Sequence, residues 1–184
     1  MSSAARGALA LAAVLGATAA PARADEVKLP NTRAVLHVPA GWSRIGADEP
    51  GRGGRMVTPA GARGLVIGYR GGGGIVLAVT RAQVPNVDAY RTPARDAYVD
   101  QIERGLAARV TGYRRVSRRF AEQRGTPALD LEARRADGAT IVVRVLLFWT
   151  YALSLAIEVP PGGDAKTARE IAAKFAPPAA PPKP

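Results

Sequence analysis

The sequence contains no cysteine and only one histidine, His37, among its 184 residues. Without cysteine the chain can form no disulfide, no thiolate metal site, no thiol nucleophile and no lipid attachment at an N-terminal cysteine. The histidine count also excludes a metal site built from several imidazoles. Stability must therefore come from a hydrophobic core, and catalysis would have to use carboxylates, hydroxyls or His37.

The first 24 residues have the pattern of a cleavable export signal. Arg6 is followed by an apolar run over residues 7–20 and then by Ala22-Arg23-Ala24. The apolar run is too short to cross about 30 Å of hydrocarbon, and Ala-x-Ala is a typical cleavage pattern. We expect cleavage after Ala24 and a periplasmic or secreted protein, with an uncleaved anchor as the alternative.

The chain that remains after cleavage is strongly basic. It has 160 of the 184 residues, with 24 basic and 15 acidic side chains and a net charge of +9. This excess favours an acidic partner, which could be a membrane surface, an anionic polymer or an acidic protein. The alternative is compositional, because in the full sequence arginine outnumbers lysine by 22 to four and, like the abundant alanine, glycine and proline, is encoded by GC-rich codons.

Hydrophobic patterns predict one α+β domain over residues 25–175 with antiparallel strands. Predicted strands lie at residues 33–38, 55–58, 65–69, 75–80, 129–133, 140–148 and 151–159. Apolar residues four apart predict a helix from Thr92 to Val110, and a second helix is predicted from Asp164 to Phe175 with Asp164 as its cap. Residues 46–54 are expected to be a loop, and the proline-rich tail 176–184 to be disordered.

The mostly apolar run over residues 141–159 could also be a membrane helix. Arg144 and Glu158 leave only residues 145–157 uncharged, which is about two thirds of the length that a span needs. Two buried strands explain the run better, because it is rich in residues that favour strands and is interrupted near Thr150.

Catalytic and phosphate-binding templates match the sequence only weakly. His37 lies inside a predicted strand without an identifiable carboxylate or nucleophile partner, so a structural role is favoured over a general base. Residues 41–46 have one residue too many for a nucleophile elbow. The glycines at 71–74 are followed by a strand rather than a helix, which favours a hairpin tip over a phosphate loop. We predict no catalytic residue, no metal site and no cofactor.

The segment over residues 113–120 carries the predicted binding residues, Arg114, Arg115, Arg118 and Arg119. On a regular strand Arg115 and Arg119 would flank Ser117 on one face, and Arg114 and Arg118 would lie on the other. Such a row can hold phosphates or carboxylates in bidentate fashion. The alternative is a solvated edge strand whose charges oppose aggregation. Export and the absence of interleaved aromatics argue against a nucleic-acid partner.

The order of these segments resembles the PsbP-like superfamily. The resemblance runs from Val27 to about Phe175 and includes the strand ending at residues 38–42 as Val-Pro-Ala-Gly-Trp, the central helix and the segment Gly-Thr-Pro-Ala-Leu-Asp-Leu at residues 125–131. That superfamily includes photosystem extrinsic subunits, a Ran-release factor, DcrB-type envelope lipoproteins and type VI effector chaperones. The resemblance implies a sheet between helices in a protein that binds, assembles or escorts other proteins, with no catalytic residues to carry over.

We therefore expect an exported, non-enzymatic binding or assembly protein of the cell envelope, with a chaperone-like role. Its partner would be another envelope protein or an acidic surface, and peripheral membrane contact stays open. One alternative is a binder of anionic lipid or polysaccharide through a basic face, and another is a hydrolase that uses carboxylates and His37. Trp42, which follows a Pro-Ala-Gly turn, is expected to pack against the sheet as a core residue.

Overall fold

The computed structural model describes residues 24–29, 32, 34–45, 65–83 and 92–177. Its strands are β1 (Asp25–Lys28), β2 (Val35–Val38), β3 (Ser43–Ile45), β4 (Leu65–Arg70), β5 (Val76–Gln83), β6 (Arg114–Gln123), β7 (Thr126–Arg134), β8 (Thr140–Leu147) and β9 (Tyr151–Val159). Its helices are α1 (Thr92–Ala107) and α2 (Ala165–Lys174). The export signal up to residue 23, the predicted loop 46–54, the weak strand 55–58 and the tail beyond 177 lie outside the described residues.

Seven of the strands form one antiparallel sheet in the order β3-β4-β5-β9-β8-β7-β6, and β1 pairs with β2 in a separate ribbon. The two helices lie on opposite faces of the large sheet, each over its own group of buried residues. The predicted α+β class, with a sheet packed between helices, is confirmed. The strands β3 and β6 form the two edges of the large sheet.

One core lies between the sheet and α2, and we call this face the α2 side. The helix contributes Ala168, Ile171 and Ala172, and Phe175 directly after it is fully buried. Asp164 caps the helix as predicted, since its carboxylate accepts hydrogen bonds from the Lys166 backbone N–H at 2.9 Å and the Thr167 hydroxyl at 2.7 Å. The apolar face of α2 has the spacing expected of an amphipathic helix.

The other core lies between the sheet and α1, on the face that we call the α1 side. Val99, Ile102 and Leu106 of α1 are buried against residues of β7, β8 and β9. The predicted helix begins at its predicted first residues and ends at Ala107, three residues before the predicted end, because Ala108 to Val110 continue as a turn.

Burial on both faces explains why residues 141–159 are so apolar. Strands β8 and β9 lie in the middle of the sheet, so side chains of either parity meet a helix-covered core. Two strands, rather than a membrane helix, form this run, and none of the helices in the described part of the chain is long and apolar enough to cross a membrane. Of the two charged residues in this run, Arg144 is buried at 5% exposure, and Glu158 binds Arg135 Nη1 at 2.7 Å.

The two residues after Phe175 contact other parts of the fold. Ala176 forms a bridge with Val35, and the Pro177 carbonyl accepts a hydrogen bond from Arg124 Nη1 at 2.8 Å. The domain boundary at Phe175 stays a prediction. The residues that follow Pro177 lie outside the described part of the chain.

Trp42 packs against the α2-side core, as predicted, although it remains half-buried. Its indole covers the backbone of Gly71, so closely that a Cβ at position 71 would overlap the ring. Residues 72–74 form a short 3-10 turn between β4 and β5, which confirms the predicted hairpin tip.

Candidate functional site

The four predicted binding arginines lie on β6, which pairs with β7 alone among the described strands and is therefore an edge strand. Their predicted place on an edge strand is confirmed, and binding through them stays a prediction. Most of the strand is exposed. Their surroundings differ, and these differences decide which of them can form a site.

A β-bulge at Val116 changes the faces on which the arginines lie. Arg115 pairs with Ala133, while Ser117 pairs with the next residue, Glu132, which leaves Val116 as the additional residue. The expectation that Arg115 and Arg119 share a face is therefore wrong. A bulge shifts the side-chain alternation by one residue, so Arg115 lies on the α1 side and Arg119 on the α2 side.

On the α1 side, Arg115 and Arg118 bind carboxylates of α1. Arg115 Nη1 lies 3.0 Å from Glu103 Oε2, and Arg118 Nη1 lies 2.7 Å from Asp100 Oδ1 and 3.3 Å from Glu103 Oε2. Tyr113 also donates its hydroxyl to Glu103 Oε1 at 3.2 Å. Glu103 thus receives three donors, and the group fastens α1 to the edge of the sheet. We call these residues the α1-side clamp.

The electrostatics of the clamp agree with its geometry. Burial, followed by the charge of Glu103 and the hydrogen bond to it, raises the pKa of Tyr113 to about 12. The Arg118 guanidinium also lies 5.7 Å from the centre of the Phe120 ring, on which Arg95 of α1 stacks at 4.1 Å. Arg95, Arg115 and Arg118 thus attach α1 to the edge of the sheet, and this structural role explains their positions.

On the α2 side, Arg144 lies at the centre of a buried network. Its Nε and Nη2 donate to the two oxygens of Asp130 at 2.6 and 2.9 Å. Its Nη1 donates to Gln123 Oε1 at 2.7 Å and to the Ala173 carbonyl at 2.9 Å. One guanidinium therefore joins β8 to β7, β6 and the C-terminal end of α2, where helix carbonyls lack intrahelical partners.

Two more arginines reach this network from its rim. Arg119 donates from Nη2 to Asp130 Oδ2 at 3.1 Å, and Arg169 of α2 binds Glu132 through two hydrogen bonds of 2.8 Å. Their side chains are 74% and 55% exposed, respectively. Beside them lies a cavity of about 350 Å³, lined by Ser117, Arg119, Glu132, Arg144, Arg169 and Ala172 among others. We call it the α2-side cavity.

Both carboxylates of the cavity are held in the ionised form. Burial alone would raise the pKa of Asp130, but the hydrogen bonds and charge of Arg144, and then of Arg119, outweigh it and the pKa lies below its usual value. The hydrogen bond from Arg169 likewise lowers the pKa of Glu132. Both carboxylates are therefore ionised at neutral pH.

The predicted binding residue Arg114 and His37, which only the hydrolase alternative invoked, lie apart from the cavity. Register places Arg114 opposite Arg134, on the side that carries Glu132 and Asp130, and Arg114 is exposed. His37 is half-buried on β2, in the separate ribbon, where Glu26 is its partner across the strands. Within the described residues, no three histidine or carboxylate side chains are grouped so that they could hold a metal ion.

Comparison with known proteins identifies the fold of this chain but no family. No family model and no curated protein matches the chain. Among solved structures, it is similar to cyanobacterial PsbP (CyanoP) from Synechocystis sp. PCC 6803, with a TM-score of 0.57, 12% identity and coverage of 86% of this chain and 94% of that one. This chain has a PsbP-like fold. It also matches a protein of unknown function from Pseudomonas aeruginosa, at a TM-score of 0.43, 14% identity and coverage of 88% and 99%.

The PsbP-like fold brings together cavity residues that sequence reasoning did not connect. Asp130, Glu132, Arg144 and Arg169 come from β7, β8 and α2, and none was predicted as a site residue. One signal was present, because a charged residue in the middle of an apolar strand must find a partner. Arg144 is such a residue, and the alternating acids of β7 were its available partners.

Proposed function

We propose that this protein is an exported, non-catalytic accessory protein of the cell envelope, which binds an acidic segment of another protein in the α2-side cavity. The PsbP-like fold supports the accessory role, because the superfamily that the sequence resembles consists mainly of binding and assembly proteins. The observation that carries the proposal is the α2-side cavity itself, with a buried, fixed Arg144 at its base and two exposed arginines at its rim.

The rim arginines retain donors for a ligand. A guanidinium has five N–H groups. Counting hydrogen bonds between described residues, Arg119 uses one of them on Asp130 and Arg169 uses two on Glu132. An incoming carboxylate could therefore bind both side chains while their present ion pairs stay in place. Charge-assisted bonds of this kind are short and directional, which suits recognition of Asp or Glu side chains.

The cavity also offers an apolar wall, so a purely ionic ligand would not use it fully. Val142 of β8 and Ala172 of α2 belong to the buried core and also line the cavity. A peptide segment with an acidic residue beside an aliphatic one would match both features. The three guanidinium groups exceed the two carboxylates around the cavity by one charge, which favours an anionic ligand.

The state of the carboxylates supports a binding role over a hydrolytic one. Asp130 and Glu132 are both paired with arginines and have lowered pKa values. A general acid or base works best with a pKa near the working pH, which is the opposite tendency.

The proposal can be tested with acidic peptides and two matched double variants. Binding of fluorescent peptides that pair Glu or Asp with Leu would be followed by anisotropy at low and physiological salt. The double variant Arg119→Gln/Arg169→Gln should weaken binding by about tenfold or more, corresponding to about 1.4 kcal/mol. The control, Arg115→Gln/Arg118→Gln, removes the same charge from the α1-side clamp and should retain the wild-type affinity.

Three results would contradict the proposal. Equal loss in both double variants would mean that net charge, rather than the cavity, attracts the peptides. Unchanged affinity in the α2-side variant would exclude the cavity as the site. N-terminal sequencing of protein recovered from the producing cell that begins at Met1, instead of directly after Ala24, would contradict the proposed cleavage and export.

A further inference from the structure

Aromatic side chains are concentrated in one turn of this protein. The chain has only ten aromatic residues, two Trp, five Tyr and three Phe. Three of them lie within four consecutive residues, with Phe148 and Trp149 between β8 and β9 and Tyr151 at the start of β9. Three aromatics within four residues of a chain with 5% aromatics call for a structural explanation.

The turn holds Trp149 in an exposed position. The rings of Phe148 and Tyr151 stack with centroids 4.6 Å apart, and the Phe148 backbone N–H donates to the Tyr151 carbonyl at 2.9 Å. The Arg81 guanidinium covers the Tyr151 ring at 4.4 Å from its centre. Both flanking rings also pack against the α2-side core. Trp149 between them is 64% exposed, the largest exposure of a bulky apolar side chain in the described residues.

Two arginines lie on the strands and turn beside this aromatic tip. Because β7 pairs with β8 and Ala128 lies opposite Leu146, the turn at Arg124 and Gly125 lies next to the β8–β9 turn. On the other side, Gln83 at the end of β5 lies opposite Tyr151, which places Arg81 two residues behind the tip. Neither turn contains a carboxylate. This end of the sheet thus carries an exposed tryptophan with two arginines beside it.

We propose that this end of the sheet binds the surface of an anionic lipid bilayer, with Trp149 in the headgroup region and Arg81 and Arg124 near the lipid phosphates. Tryptophan favours this interfacial region because its ring is apolar while its N–H needs a polar partner. Arginine beside it is attracted to anionic headgroups. The protruding turn fits a deformable surface, and it is separate from the α2-side cavity, so the two proposals can fail independently.

The experiment uses the mature chain with Trp42→Phe, which leaves Trp149 as the only tryptophan. Its emission would be recorded with vesicles of phosphatidylglycerol and phosphatidylcholine, and with phosphatidylcholine alone. We expect a blue shift with the anionic vesicles, together with quenching when the lipid chains are brominated near the headgroup. Circular dichroism would check that this variant is folded.

A second measurement does not depend on the Trp42 substitution. In vesicle co-sedimentation, Trp149→Ala in the otherwise natural chain should weaken binding by about tenfold or more. Val116→Ala is the matched control and should leave binding unchanged, since Val116 on β6 is the other exposed bulky apolar side chain among the described residues, at 51% exposure. Arg119→Gln/Arg169→Gln should also bind the vesicles like the wild type.

Several outcomes would overturn the proposal. Emission that does not change with anionic vesicles, or binding that is equally strong to phosphatidylcholine alone, would contradict it. So would an equal loss in Trp149→Ala and Val116→Ala. If Trp149→Ala bound vesicles normally but lost the binding of an envelope protein, the turn would be a protein contact instead of a membrane contact.

Discussion

The α1 side and the α2 side of β6 carry arginines of the same strand, yet they are built differently. The α1-side clamp joins Arg115 and Arg118 to carboxylates on the surface of a helix. On the α2 side, Arg119 lies at the rim of a cavity whose network is centred on a buried arginine contributed by another strand. A run of arginines in a sequence therefore does not define one surface, because the pairing partners of each side chain determine what it can bind.

The largest effect should come from removing the centre of the α2-side network. Arg144→Ala leaves Asp130, Gln123 and the Ala173 carbonyl without their buried donor, and should lower the free energy of unfolding by about 3 to 5 kcal/mol. Arg115→Ala, at an exposed ion pair of the clamp, should cost less than about 1 kcal/mol. Urea denaturation measures both. Equal losses would mean that the two sides of β6 are energetically alike.

A second effect tests how tightly the α2-side core is packed at its far edge. Gly71→Ala places a methyl group against the Trp42 indole, which must then move away from the core, and should cost about 1 to 3 kcal/mol. Gly72→Ala is the matched control, since nothing lies within 4 Å of its added Cβ and it should change stability little. If Gly71→Ala and Gly72→Ala have the same thermal unfolding midpoint, Trp42 is not held in place by this contact.

The sequence predicts the elements of the fold that depend on local patterns, but not those that depend on strand pairing. The central strands, both helices and the Asp164 cap could be predicted because each depends on local spacing of apolar and capping residues. The short strands β1 and β3 were missed, since their patterns are too brief to stand out. The bulge at Val116 was missed for another reason, because a bulge is a property of two paired strands and not of one.

The candidate site was harder to predict than the fold. The predicted arginines do lie together on one strand, but only Arg119 contributes to the α2-side cavity. Arg119 binds Asp130, which lies 11 residues further along the chain. Arg144 binds Gln123, which lies 21 residues before it. Such contacts follow from strand order and register, which a single sequence does not display.

Acid should weaken the α2 side. The pKa values of Asp130 and Glu132 are lower in the folded protein than their usual values of 3.8 and 4.5. A carboxylate with a lowered pKa stabilises the folded state at pH values above its pKa in the unfolded chain. This contribution is lost as the pH falls through its pKa in the folded protein. Unfolding free energies measured from neutral pH downward should therefore decline below about pH 4.5. Asp130→Asn should flatten that decline, and an unchanged slope would contradict it.

The smallest expected effect concerns the α1-side clamp at alkaline pH. The pKa of Tyr113 is about 12 in the folded protein, against a usual 10.0, because burial and the neighbouring Glu103 disfavour the phenolate. In the unfolded chain the hydroxyl ionises near its usual value, so the stabilisation is complete below about pH 10 and is lost as the pH rises toward about 12. Tyr113→Phe cannot ionise and should lose less stability over this interval than the wild type, even though it starts lower for lack of the hydrogen bond to Glu103. Denaturation at stepwise higher pH would measure the difference. If Tyr113→Phe follows the wild-type curve over this interval, Tyr113 does not couple the clamp to pH.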